Sequence, residues 1–350
     1  PQGALYGRNA IGGAVLIATR QPTAEPEYAL RFGAAEGQDY TLAGSASGPV
    51  FGENGLGRFS FRLQDREGQL RNEYLGGEYV DFKESAAFRG RLLFTPSDEL
   101  TIDLRAQYLD QDGGSGYFMP GSDFFLPLPP PNPPIIVDVP EYEIQANRIG
   151  ESFVDSSEVS AKIDYDLGWA TLTSITSYTE VDSGNDQDLD QTFVEAIDII
   201  VIDESETCAQ EFRFVSPDDR SLRWVAGVSW FSQDRFRSLG TTFLGNVVPP
   251  AAQDLKLEDL AVFGNLSYDL SDAMELTLAF RWDEETPEDV TQARSATFSE
   301  FQPKASLAYR FDENLLGYVT IGKGFRAGGF NNLAPGSNFQ PGFDRESLVS

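Results

Sequence analysis

The chain has 350 residues, 41% of them hydrophobic, and a formal net charge of −29 at pH 7. This acidic balance argues against nucleic acid as a partner, because phosphates are neutralised by Lys and Arg. One cysteine and no histidine exclude a disulfide within the chain, a zinc site of Cys and His ligands, and a His-based catalytic triad.

The N-terminal segment joins a glycine-rich run to a short apolar run. Glycines allow positive φ and close approach to another surface. The glycines of this segment are Gly3, Gly7, Gly12 and Gly13. Ala14–Thr19 is apolar and partly β-branched, so we predict a strand there. The pattern indicates a segment that packs inside another structure. Because the chain begins within this motif, we interpret it as part of a longer protein.

From Glu27 onward, apolar and polar residues alternate with a period of two. Leu276, Leu278 and Phe280, for example, alternate with Thr277, Ala279 and Arg281. The pattern predicts about thirteen β-strands. They begin near Tyr28, Tyr40, Arg58, Lys83, Leu100, Glu158, Gly168, Thr207, Leu222, Leu257, Glu275, Phe301 and Leu315.

Two properties of these strands favour a membrane β-barrel over a soluble sandwich or propeller. Many exceed about ten residues, against the usual five or six, and their polar side carries charges at mid-strand. Lipid outside and a polar interior give this pattern. No run of about 18 apolar residues is present, so the sequence predicts no transmembrane helix. We also find no internal repeat of the kind that a propeller needs.

The predicted connections alternate between short and long, which is typical of outer-membrane barrels. Short turns are expected at residues 96–98, 167–168, 217–219, 271–272 and 312–314. Long loops are expected at residues 69–82, 112–156, 182–205, 238–256, 284–296 and 326–340. Aromatic residues suited to the membrane interfaces are Trp169, Tyr178, Trp224, Trp230 and Trp282.

Four segments resemble the TonB-dependent outer-membrane receptors. PQGALYGRNAIGGAVLIATRQPT at the N-terminus resembles the end of that family's plug domain, where Tyr6, Gly7, Asn9, Gly12 and Gly13 form the motif. Three later segments resemble its barrel. They are QEFRFVSPDDRSLRWVAGVSWF, AVFGNLSYDLSDAMELTLAFRWDEE and FQPKASLAYRFDENLLGYVTIGKGFRAGGFNN.

The resemblance implies an all-β fold: a transmembrane antiparallel β-barrel with the C-terminal end of an N-terminal plug domain. Residues 1–23 would end the plug, and residues 24–350 would form the N-terminal part of the barrel. About thirteen strands would be a little over half of a 22-strand barrel, a size known to carry a plugged lumen. The barrel's C-terminal strands and a TonB box would lie outside this sequence.

The resemblance also implies a function and its partners. The protein would be a monomer in the outer membrane of a Gram-negative bacterium, in contact with lipid and lipopolysaccharide. It would take up a scarce, bulky small molecule, a ferric siderophore first of all, with energy from the TonB protein and without a catalytic residue or a cofactor. Two alternatives stay open: a passive porin, and a TonB-dependent receptor for a non-iron ligand such as cobalamin or a glycan.

The resemblance places Arg8 inside the barrel, where a buried arginine needs a carboxylate. Alternation puts Phe212 and Phe214 towards lipid, so that Glu211 and Arg213 face the lumen. We therefore predict a plug–barrel ion pair between Arg8 and Glu211. The alternative is that Glu211 pairs on the wall itself, with Arg213 or Arg223.

The longest predicted loop combines aromatic residues with a proline run, which holds an extended conformation at low entropic cost. Since outer loops carry recognition, we predict substrate contact for Tyr117, Phe118, Phe124 and Phe125.

Two other motifs are weak. Asp186, Asp188 and Asp190 have calcium-loop spacing but lack its glycine and final acid, so a solvated acidic loop is expected and no metal site is predicted. The run from Gly317 to Gly324 lacks the Ser/Thr and the helix of a phosphate-binding loop, so we expect a strand end there.

Overall fold

The structure is a computed structural model. It describes Gly7 and residues 13–52, 54–117, 124–126, 135–137, 142–331 and 340–350; for 124–126 and 135–137 it describes the backbone alone. No helix in the described part of the chain is long and apolar enough to cross a membrane.

The described strands are numbered in chain order. The first eleven are β1 Glu27–Ala35, β2 Asp39–Pro49, β3 Gly55–Arg66, β4 Arg71–Asn72, β5 Glu78–Tyr79, β6 Lys83–Ser97, β7 Leu100–Gly114, β8 Phe124–Leu126, β9 Ile135–Val137, β10 Glu143–Ile144 and β11 Glu151–Asp166. The others are β12 Thr171–Asp188, β13 Ile197–Val215, β14 Leu222–Phe243, β15 Asn246–Ser271, β16 Met274–Asp289, β17 Arg294–Ser295, β18 Phe298–Arg310, β19 Leu316–Arg326, β20 Gly329–Phe330, β21 Gly342–Phe343 and β22 Glu346–Val349.

One antiparallel sheet contains all the long strands, each hydrogen-bonded to the next long strand in the chain. Its order is β1-β2-β3-β6-β7-β11-β12-β13-β14-β15-β16-β18-β19-β22, and β17 pairs with β16 at its margin. All thirteen predicted strands are present in this path, and β22 is a fourteenth that the sequence did not indicate. The alternation of apolar and polar residues therefore found the sheet correctly.

The strands are longer at their outer ends than the sequence predicted, and one predicted long loop is wrong. In place of a loop at residues 238–256, β14 and β15 continue to Phe243 and Asn246. Leu244 and Gly245 join them in a two-residue turn with φ of 48° and 74°, the positive values of a tight hairpin turn. The strands there project beyond the membrane, where no lipid demands an apolar outer face.

The outward face of the sheet has an aromatic cluster at the short-turn rim. The Trp169 ring lies 6.0 Å from Phe214 and 6.2 Å from Trp224, measured between ring centroids. Three other outward aromatics lie seven or eight residues from the short-turn ends of their strands: Tyr178, Trp230 and Trp282. At about 3.3 Å per residue and a tilt of about 40°, this separation is roughly 20 Å. It fits an apolar band of about 25 Å between two aromatic girdles.

The hydrophobic core lies among the outer loops, on the long-loop side of the sheet. It consists of Leu70, Val80, Ile144 and Ala146, with Tyr117 and Ile149 packed against it. Short strands join the loops, since β10 pairs with β4 and β4 with β5. Two loops that are distant in sequence thus form one small assembly.

The prediction of a strand at Ala14–Thr19 is wrong. The described residues 13–22 have no strand conformation, and Val15, Leu16 and Ile17 are 91%, 71% and 89% exposed. A strand needs hydrogen bonds to a neighbouring strand, and no sheet of the described residues includes this segment.

Candidate functional site

The inward face of the sheet carries buried polar residues where a soluble protein would carry a core. Asp103, Asp259, Arg281, Asp283 and Gln302 are all at most 6% exposed. The N-terminal segment lies against this face, since both Gly7 and Thr19 contact it. The inner wall is therefore a polar surface that a segment of the same chain covers.

Arg281 is the centre of this surface. Its Nε donates to Asp283 Oδ1 at 2.7 Å, and its Nη2 lies 3.8 Å from Asp259 Oδ2 and 3.4 Å from Ser229 Oγ. Gln302 Nε2 donates to the other oxygen of Asp283 at 2.5 Å. The site is formed by neighbouring strands of the sheet. They supply Ser229 from β14, Asp259 from β15, Arg281 and Asp283 from β16, and Gln302 from β18.

The guanidinium of Arg281 also lies close to Phe263 and Gly7. Its Cζ lies 5.6 Å from the centroid of the Phe263 ring, a geometry that favours cation–π attraction. A Cβ added to Gly7 would lie 3.5 Å from Nη2 of Arg281. Gly7 has φ of 86°, which L side chains rarely adopt. We call this arrangement of Gly7, Arg281 and Phe263 the Gly7 seat.

Of the predicted plug-motif residues, the structure describes two. Gly7 is buried in the seat, and Gly13 has φ of 139° and no atom within 4 Å of an added Cβ. Tyr6, Arg8, Asn9 and Gly12 lie outside the described residues. Their roles, and the Arg8–Glu211 ion pair, stay predictions.

Glu211 lies on the inward face, as alternation predicted, and its Oε1 is 3.3 Å from Arg213 Nη1 on the same strand. Phe212 and Phe214 point outward and are 47% and 36% exposed. Arg223 pairs with Asp269 and Glu275 at 2.6 and 2.5 Å. Of the two wall partners considered for Glu211, the structure shows contact with Arg213.

At the outer end of β12, Asp188 and Asp190 are buried turn residues, not a solvated acidic face. They are 1% and 4% exposed. Asp188 accepts the backbone N–H groups of Asp190 and Gln191 at 3.0 and 2.8 Å, and Asp190 accepts that of Ile197 at 2.8 Å. Among the described residues no His, Cys, Asp and Glu group has the geometry of a metal site.

Burial and the neighbouring Asp190 raise the pKa of the Asp188 carboxyl to about 7. The Arg148 guanidinium lies between Asp186 and Asp198, and burial raises the pKa of both those carboxyls as well. Since the folded turn favours the protonated form of Asp188, this group stabilises the turn fully below its unfolded pKa of about 3.9. That stability is lost as the pH rises through about 7.

We therefore expect residues 189–197 to open more readily as the pH rises from about 5 to 8. Hydrogen exchange, corrected for intrinsic rates, should show protection that falls over this range, by up to about 3 kcal/mol. In Asp188→Asn the dependence should be much weaker, because the amide oxygen accepts the same bonds without titrating. The exposed Asp254→Asn is the control. An unchanged pH profile in Asp188→Asn would refute the assignment.

Tyr117 is packed in the loop assembly, and its hydroxyl accepts the Gly150 N–H at 2.8 Å. Burial raises the pKa of Tyr117, which keeps the hydroxyl neutral. Phe124 and Phe125 lie on β8, which pairs with β9, and Phe118 lies outside the described residues. Substrate contact by these four aromatics stays a prediction.

Sequence reasoning missed two arginines on the inner wall above the membrane band. Arg235 donates to both carboxylate oxygens of Asp203, whereas Arg237 lies 3.9 Å from Asp203 and is 52% exposed. The period of two could have placed both arginines on the inner wall, because Arg235 and Arg237 occupy inward positions of a predicted strand. Arg237 is therefore an exposed cation on the inner wall of an acidic chain.

The comparisons with known proteins agree with this geometry. The family described as "TonB dependent receptor-like, beta-barrel" matches residues 87–347, about three quarters of the chain. The structure of a ferric yersiniabactin uptake receptor from Yersinia pestis aligns with a TM-score of 0.83 at 14% identity, covering 100% of this chain and 54% of that one.

Two other solved structures are similar. The siderophore receptor PiuA of Acinetobacter baumannii aligns with a TM-score of 0.70 at 13% identity, over 93% of this chain and 53% of that one. The ferripyoverdine receptor of the Pseudomonas aeruginosa outer membrane aligns with a TM-score of 0.68 at 16% identity, over 88% and 43%. The chain thus spans about half the length of these structures, and the predicted antiparallel β-barrel fold is confirmed.

Proposed function

This chain belongs to the TonB-dependent receptor family of the Gram-negative outer membrane, and we propose that the whole protein takes up a ferric siderophore across that membrane. The observation that carries the proposal is the Gly7 seat, in which an N-terminal residue covers a buried charged site on the inner wall. A passive porin needs an open lumen, so this contact favours gated uptake over the porin alternative.

The seat also supports the proposed division of the chain. Residues 1–23 would be the C-terminal part of a plug domain, and residues 24–350 part of the barrel. In the proposed cycle, TonB acts on the plug through a region outside this sequence, and the plug then leaves its contacts on the wall. The chemistry is binding and displacement, with no covalent step and no resident cofactor. We further propose a monomer surrounded by lipid and lipopolysaccharide.

A siderophore is the preferred cargo because the inner wall above the membrane band offers an exposed cation. Iron(III) complexes of carboxylate or catecholate ligands are commonly anionic, and Arg237 is a half-exposed cation on the inner wall. Two of the similar solved structures are named for iron complexes of this kind, a ferric yersiniabactin uptake receptor and a ferripyoverdine receptor. They are relatives in fold, so they indicate a ligand class and not a particular molecule.

The proposal is tested by growth under iron limitation. A strain without the full-length gene is supplied with one iron chelate at a time and compared with its parent. We expect a growth defect on at least one siderophore and normal growth on ferrous iron. Normal growth on every chelate would refute iron uptake and leave a non-iron cargo such as cobalamin or a glycan to be tested.

Arg237→Gln should weaken binding of an anionic ferric chelate by about 10-fold or more, since hydrogen bonds to charged groups contribute about 1.5–3 kcal/mol. Binding to whole cells or to the purified receptor measures the effect. The control is Arg220→Gln, which removes the same charge from an exposed position on the opposite rim. Equal binding by the two variants would show that Arg237 is not a ligand contact.

A further inference from the structure

A second contact between the N-terminal segment and the wall lies near the short-turn rim, at Arg91 on β6. Arg91 is 7% exposed. Its Nε and Nη2 donate to the two oxygens of Asp103 at 2.9 and 2.7 Å. Arg105 donates to the same carboxylate, with Nη2 at 2.7 Å. A two-point pair of this kind fixes the orientation of a guanidinium.

The third nitrogen of Arg91 holds the N-terminal segment. Its Nη1 donates to the carbonyl oxygens of Thr19 and Arg20, both at 3.2 Å. Because both acceptors are main-chain oxygens, the contact depends on the path of the segment and not on its side chains. Two guanidinium groups share one carboxylate here, so the positive charge that remains strengthens these bonds to neutral acceptors.

The segment is also tied just beyond this point. Thr23 donates its backbone N–H to Ser47 Oγ at 2.9 Å, and the two hydroxyl oxygens lie 2.9 Å apart. Pro22 between the two contacts is buried. Residues 19–23 are therefore held by side chains of two wall strands, Ser47 on β2 and Arg91 on β6, and Asp103 on β7 orients Arg91.

We propose that Arg91, oriented by Asp103, is a fixed anchor that holds residues 19–23 on the wall when the Gly7 seat releases. Arg91 is thus a positioning residue of the uptake cycle, and its role in transport rests on the function proposed above. The seat and the anchor differ in kind. The seat binds one glycine that has to leave, whereas the anchor binds main chain that stays.

The anchor is tested first without transport, in the full-length receptor. A spin label is placed at exposed Gln21 in a background without native cysteines. We expect the label at 21 to be immobilised. In Arg91→Gln the label at 21 should become mobile, and the Thr23 amide should exchange about tenfold faster or more.

The matched control is Arg89→Gln, two residues along the same strand. Arg89 donates to Gln107 Oε1 at 2.9 Å and makes no hydrogen bond to the described residues of the N-terminal segment. It should leave the label at Gln21 immobile. Arg91→Lys should restore immobility only in part, since an ammonium cannot make the two-point pair with Asp103. Unchanged mobility at 21 in Arg91→Gln overturns the anchor.

The fixed position of the anchor is tested by locking it. Thr23→Cys and Ser47→Cys place two thiols where hydroxyls 2.9 Å apart stood, and oxidation should join them. Ferric chelate uptake should be equal, within about twofold, in oxidised and reduced cells, because the anchor does not move. Uptake that the disulfide blocks, and that a reductant restores, shows that this segment has to move and overturns the fixed anchor. If no chelate is taken up at all, the proposed function fails, while the spin-label result still decides the anchor.

Discussion

Asp283→Ala is expected to lower the free energy of unfolding by about 3–5 kcal/mol, the cost of leaving a buried charge without its partner. Asp283 is fully buried and accepts bonds from Arg281 at 2.7 Å and from Gln302 at 2.5 Å. Its removal leaves Arg281 with Asp259 at 3.8 Å. The distance between Arg281 and Asp259 is too long for a strong hydrogen bond, so this pair does not compensate for the lost carboxylate of Asp283.

Urea unfolding of the full-length receptor in detergent micelles measures this change. Glu284→Ala is the matched control, because Glu284 is the next residue and is exposed on the outward face. We expect the control to stay within about 0.5 kcal/mol of the parent. Asp283→Ala and Glu284→Ala of equal stability would contradict the assignment of Arg281 as the centre of the inner wall.

Gly114→Ala is expected to open the loop assembly while leaving the sheet intact. A Cβ at this position would overlap the carbonyl oxygen of Val80 and lie 3.3 Å from Asp81 Cα. Val80 is fully buried in the loop core, so the loop at residues 67–82 has to move. Overpacking against backbone costs about 1–3 kcal/mol or more, which is enough to expose the core.

Hydrogen exchange at Val80 and Ile144 reports this opening, and we expect exchange at least about 10-fold faster than in the parent. Gly90→Ala is the control, since no atom of the described residues beyond its chain neighbours lies within 4 Å of an added Cβ at that position. Ligand binding should fall with loop protection in Gly114→Ala. Full protection at Val80 in this variant would show that the two loops do not pack as described.

The sequence predicted the sheet because lipid outside and a polar lumen impose a period of two on every strand. The same cause explains where the prediction failed. In β14 and β15 the outer residues lie above the membrane band, where the alternation weakens, and a hairpin was taken for a long loop. Ala14–Thr19 has strand-forming residues but no neighbouring strand among the described residues, and composition cannot supply one.

The candidate site was less predictable than the fold. Alternation correctly placed Glu211 and Arg213 on the inner face. It could not reveal the Arg281 site, because Asp259 and Gln302 reach Arg281 through the register of neighbouring strands. The acidic spacing at Asp188 and Asp190 indicated a solvated loop, whereas the structure buries both as acceptors for backbone N–H groups. The period of two predicts which face of the sheet a residue lies on, whereas its partners on neighbouring strands are known only from the folded sheet.

The activity proposed for the whole protein is gated uptake through this barrel. The most direct test is accumulation of radioactive iron, supplied as a single siderophore complex, in cells that carry the full-length gene or lack it. We predict that accumulation requires the gene, and that it stops when the TonB protein is deleted or the proton gradient is collapsed. Accumulation that persists without TonB, or that is the same without the gene, would contradict the claim.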